Sequence, residues 1–171
     1  MTIPSTLHLG TQLDFPAYLL GISMLLVVML VHGVALLQIA KRYEVKTFLY
    51  LADNQYSSVA IAFYIGILCL LLMHLFEIVL WGVALWLFKL LPNIGDSILF
   101  SGSTYTAMGF MDDLLPNGWK MLAIIIAFSG MFAFAWTASV MISMTKHYRQ
   151  AYTRQHMKKL KLPAEVIERF K

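Results

Sequence analysis

Charged residues fall in blocks along this chain, and the gaps between the blocks define its elements. No formal charge occurs between Asp14 and Lys41, and none between Lys120 and Lys146. Between Asp53 and Lys89 the only one is Glu77. Each gap exceeds the roughly 20 residues that a helix needs to cross a hydrocarbon core of about 30 Å. The pattern predicts three membrane-spanning helices, near 15–40, 58–88 and 119–144. Pro16 suits the first turn of the first helix, where a missing N–H costs nothing.

Between the second and third apolar runs lies DSILFSGSTYTAMGFMD, Asp96 to Asp112. Pro92, Asn93, Gly95 and Asp96 mark a helix start. A short helix of small and aromatic residues follows, then a turn through Thr106-Ala107-Met108-Gly109-Phe110 and an acidic pair, Asp112 and Asp113. Backbone that enters a membrane as helix and returns extended is excluded from lipid. It is tolerated along a water-filled or protein-lined path. This is the layout of a pore loop. The expected fold class is therefore an all-α membrane protein with three transmembrane helices and a re-entrant pore helix between the second and third. The expected organisation is an N-terminal part with the first helix and a loop (1–57), a pore module (58–145) and a basic tail (146–171).

Composition agrees: 60% hydrophobic and 13% charged residues exclude an ordinary soluble domain. A cleaved leader is not expected, since residues 1–40 hold no Lys or Arg and the apolar run is long. Cys69 is the single cysteine and lies in an apolar run, so neither an intrachain disulfide nor a thiolate metal site is expected.

The net charge of +4 arises after the third span, at Lys146, Arg149, Arg154, Lys158, Lys159, Lys161, Arg169 and Lys171. Such a cluster next to a span points to anionic lipids rather than to nucleic acid. Lys41, Arg42 and Lys46 follow the first span. By the positive-inside bias the N-terminus and the pore loop lie outside, and the 41–57 loop and the C-terminus lie in the cytoplasm.

Phe100-Ser101 and Thr104 through Asp112 resemble the pore-loop potassium channels of the two-transmembrane type, small bacterial members above all. Their signature is a pore helix ending in a Thr-Thr-Val-Gly-Tyr-Gly-Asp-like filter. Thr106-Ala107-Met108-Gly109-Phe110-Met111-Asp112 falls on it without gaps. The resemblance spans roughly residues 70–145. It takes in His74, Glu77 and Trp81 upstream, and Pro116 to Trp119, Gly130 and Trp136-Thr137-Ala138 downstream; the first helix lies outside it.

The resemblance implies a homotetramer in a cell inner (cytoplasmic) membrane, with potassium or sodium as permeant ion and no cofactor or enzymatic activity. Pore helices would aim the negative ends of their dipoles at a central cavity. Filter carbonyls would replace the ion's hydration shell. Three departures from the signature bear on its chemistry. Ala107 stands where the family has a second Thr, Met111 where it has a second Gly, and Phe110 where it has Tyr. A left-handed backbone at Met111 would cost roughly 1–2 kcal/mol per chain. The expected activity is a cation channel that discriminates weakly between potassium and sodium. The alternative is a non-conducting channel-like membrane scaffold or assembly partner.

Individual residues carry further expectations. Glu77, deep in a span, is costly there and should face protein. With His74 one turn earlier it reads as a structural hydrogen bond to the pore helix, or else as a proton-sensitive gating pair. Gly130 reads equally as a gating hinge or as a small residue for close packing. Asp112 reads as part of an acidic ring at the outer mouth, and Asp113 less strongly so. Trp81, Trp86 and Trp119 read as interfacial anchors, Trp136 as packed between helices, His32 as a buried polar residue and the eleven Met as core filler. No span carries the repeated cations of a voltage sensor.

Overall fold

The computed structural model describes residues 15–111 and 114–160. Four helices follow in order: α1 (Phe15–Ala52), α2 (Tyr56–Leu87), α3 (Ile94–Tyr105) and α4 (Met121–Leu160). Three of them, α1, α2 and α4, are long and apolar enough to cross a bilayer, which makes the chain a multi-pass membrane protein. There is no strand among the described residues.

Two helices outrun their apolar cores. The expected loop at 41–57 is largely absent, because α1 continues through KRYEVKTFLYLA to Ala52 and leaves only Asp53–Gln55 as connection. That stretch holds no Gly or Pro, and Lys, Arg, Glu and Leu are good helix formers; charge ends the hydrophobic run without ending the helix. Similarly, α4 runs on through the first half of the basic tail to Leu160. At 1.5 Å per residue the 38 residues of α1 measure about 57 Å, nearly twice the hydrocarbon thickness.

One device ends α1, α2 and α3 alike. Asn54, Lys89 and Ala107 each take a left-handed conformation, with φ of 57°, 55° and 57°. Around each, two backbone bonds close back on the last turn. Asn54 and Gln55 donate to the carbonyls of Leu51 and Tyr50, Lys89 and Leu90 to those of Trp86 and Leu85, and Ala107 and Met108 to those of Thr104 and Ser103. This is the Schellman arrangement, which satisfies carbonyls that a helix end would otherwise orphan. Glycine usually fills its left-handed position; none of these three residues is glycine.

Contacts divide the chain into two units. The first comprises residues up to Val31 and Leu75–Ala133, the second His32–His74 and Phe134 onward. In the first, Trp81, Leu85, Phe100, Tyr105, Leu122 and Ile126 form a buried cluster. Trp81 is 1% exposed and its indole N–H donates to the Ser129 hydroxyl at 3.0 Å. The expectation of an interfacial anchor is therefore corrected for Trp81, whose polar edge finds a partner on α4 instead of a headgroup. In the second unit, Leu36, Tyr43, Leu70, Met73 and Met144 pack together, and the Tyr43 hydroxyl donates to the Met144 carbonyl at 3.0 Å.

Candidate functional site

The site is built on α3, a helix of 12 residues. Its start is fixed by Asn93, whose side-chain oxygen accepts the Gly95 N–H at 2.9 Å. Asp96 lies in the first turn, where a negative charge complements the helix dipole. The opposite, carbonyl end faces the turn that begins the loop.

Two glycines let α3 approach its neighbours closely. A Cβ at Gly82 of α2 would lie 2.7 Å from the Ile98 Cα, and one at Gly130 of α4 would collide with the Tyr105 carbonyl oxygen. Both contacts are with backbone, which cannot swing aside. Tyr105 is also held through its side chain: its hydroxyl donates to Glu77 Oε2 at 2.5 Å, and both residues have 0% exposure. Glu77 thus meets the pore helix through Tyr105, a residue that sequence reading did not single out. Spacing along one chain gives no signal for a contact between positions 28 apart. The Ser101 and Ser103 hydroxyls, on the same helix, are buried without a hydrogen-bond partner among the described residues.

Beyond Tyr105 the chain leaves its own core. Thr106 caps the helix and returns its hydroxyl to the Gly102 carbonyl at 2.7 Å. The Ser103 carbonyl accepts from both Met108 and Gly109, at 2.9 and 3.1 Å. Ala107, Met108, Gly109 and Phe110 are then exposed, Met108 at 72% and Phe110 at 62%. A cavity of about 410 Å³ lies along this segment, with Thr104, Ala107, Gly109 and Met111 on one side and Ala123 and Ala127 of α4 on the other.

Left-handed backbone occurs in the loop at Ala107 and at Gly109 (φ 65°), and not at Met111. The strain expected at Met111 is therefore displaced four residues towards the helix, where the cap demands it. Of the sequence-predicted filter residues, Thr106 and Ala107 form the turn that ends α3 and Met108 to Met111 continue from it as irregular backbone; Asp112, with Asp113, lies outside the described residues.

His74 belongs to the second unit. Its Nε2 lies 3.1 Å from the Thr137 hydroxyl, and its ring stacks on Phe134 with centroids 4.5 Å apart. The buried His32 ring lies 5.5 Å from that of His74 and 5.6 Å from that of Trp136. The meeting of His32 with His74 was not legible in sequence, because the register of the first helix against the others leaves no trace in a periodicity.

Residues 73–147 match the family model described as "Ion channel". This segment is similar to an ion-channel domain. It begins within α2, contains α3 and the loop, and ends in α4, so α1 lies outside it. No curated protein and no solved structure matches the chain. Glu77, Tyr105 and Gly130, which meet at the base of the loop, are all within the matched segment.

Proposed function

We propose that four copies of this chain surround a pore for monovalent cations, with the Thr106–Asp112 loops as its filter. The observation that carries this reading is a 12-residue helix, clamped at both ends, that delivers its carbonyl end to an exposed loop between two spans. A half-helix carbonyl end favours a cation. A loop so poorly covered by its own chain is completed by neighbours around an axis, since unsatisfied backbone is not tolerated in lipid. Potassium and sodium are the ions proposed, in a cytoplasmic membrane with the N-terminus outside.

Weak discrimination follows from the loop's chemistry. Ala107 offers no hydroxyl to an ion, and its backbone is already used to cap α3. Met111 lacks the left-handed turn that a second glycine would favour. Fewer dehydrated sites then remain for separating ions of equal charge. Purified protein in liposomes, assayed for potassium and sodium flux, tests the reading. Flux of both supports it, and a well-folded tetramer that passes neither would replace it with the non-conducting scaffold.

A further inference from the structure

A second cavity, of about 260 Å³, lies in the second unit between the later part of α1 and the first half of α2. Its walls change character along their length. Arg42 and Lys46, one turn apart and so on one face of α1, line it together with Ser58. Farther from the α1–α2 connection the lining is Ile39, Ile65 and Cys69. Glu44, between the two cations in sequence, is not on that wall.

Depth in the membrane gives this gradient a meaning. The uncharged stretch of α1 from Phe15 to Ala40 spans about 39 Å at 1.5 Å per residue. Arg42 and Lys46 therefore stand at headgroup level, and Ile39, Ile65 and Cys69 at the level of the acyl chains. A free anion would use only the cationic end and would leave the apolar wall uncovered. An amphiphile uses both.

We propose that this cavity is a binding site for one anionic phospholipid, with its phosphate at Arg42 and Lys46 and an acyl chain along Ile39, Ile65 and Cys69. The site lies wholly outside the segment that matches the ion-channel family, and it does not depend on the chain conducting ions. Each cation near a membrane surface favours an anionic headgroup about fivefold.

Cys69, half-buried and the only cysteine, can be moved off the cavity wall. Full-length Cys69→Ser/Leu72→Cys protein, carrying a small fluorophore at position 72, which is exposed and not on that wall, is placed in phosphatidylcholine vesicles containing brominated lipid at one fixed mole fraction. Brominated phosphatidylglycerol is expected to quench as though enriched about fivefold or more over brominated phosphatidylcholine. The preference should be lost in Arg42→Gln/Lys46→Gln and kept in Arg149→Gln/Arg154→Gln. Equal quenching by the two headgroups overturns the proposal, and so does a preference that survives the first double variant. Loss of the preference on adding millimolar inorganic phosphate would also overturn it, by showing a site for free phosphate. Native mass spectrometry of unlabelled protein gives a second readout. Anionic lipid retained by the wild type and lost in the Arg42/Lys46 variant is expected, whereas equal retention contradicts the proposal.

Discussion

Gly130 and Tyr105 are in backbone contact: a Cβ on Gly130 would collide with the Tyr105 carbonyl oxygen. The residue that opens the loop is thus fixed by the absence of a side chain on α4. Gly130→Ala should lower stability by about 1–3 kcal/mol, the usual cost of overpacking. Gly102→Ala, whose Cβ would meet only the Ile78 Cγ2 at 3.4 Å, should be neutral or gain up to about 1 kcal/mol in helix propensity. Thermal unfolding in detergent compares the two. Equal melting temperatures would assign Gly130 to a hinge that needs flexibility and not closeness.

The hydroxyl of Tyr105 and the carboxyl of Glu77 form the second restraint on the same point. Tyr105→Phe leaves a buried acceptor without this donor and should cost about 1–3 kcal/mol. Glu77→Gln keeps an acceptor oxygen and should cost less. A double-mutant cycle should return a coupling of at least about 0.5 kcal/mol, as residues in contact do. Additive effects would mean that the bond contributes nothing of its own.

Ala107 takes a conformation that glycine adopts freely and a β-branched residue resists. Ala107→Gly should stabilise by about 1 kcal/mol, and Lys89→Gly, at the matching position of α2, by a similar amount. Ala107→Thr, which restores the residue typical of the filter signature, should destabilise. Chemical denaturation of the three variants orders them. A stabilising Thr would show that position 107 is not left-handed.

The orphaned hydroxyl of Ser101 predicts the opposite sign from most buried substitutions. An unpartnered buried hydroxyl costs about 1–3 kcal/mol. Ser101→Ala should therefore be neutral or stabilising. A loss of more than about 1 kcal/mol would reveal a partner for this hydroxyl in the assembled protein.

Much of this architecture is legible in the sequence because lipid imposes simple rules. Charge-free gaps mark the spans, and Asn93 with Asp96 announces α3. Helix ends were harder. The cations at Lys41 and Lys146 stop the hydrophobic signal but not the helices, and the Schellman caps at Asn54, Lys89 and Ala107 lack the glycine by which such ends are recognised. Trp81 reads like an interfacial anchor until Ser129 is seen across from it. Small residues mark close helix packing in a sequence, yet Gly82 and Gly130 do not name their partners; only the fold pairs them with Ile98 and Tyr105. The departures from the filter signature are plain in sequence, but local propensity puts the strain at Met111, whereas the left-handed residue is Ala107, in the cap of α3.

On the proposed function, the Thr106–Asp112 loop conducts monovalent cations while separating potassium from sodium poorly. Bi-ionic reversal potentials of the reconstituted channel, with potassium on one side and sodium on the other, measure this directly. The expected sodium permeability is at least about a tenth of that of potassium, a difference of no more than about 1.4 kcal/mol. A sodium permeability below roughly a hundredth, about 2.7 kcal/mol of discrimination, would contradict the account.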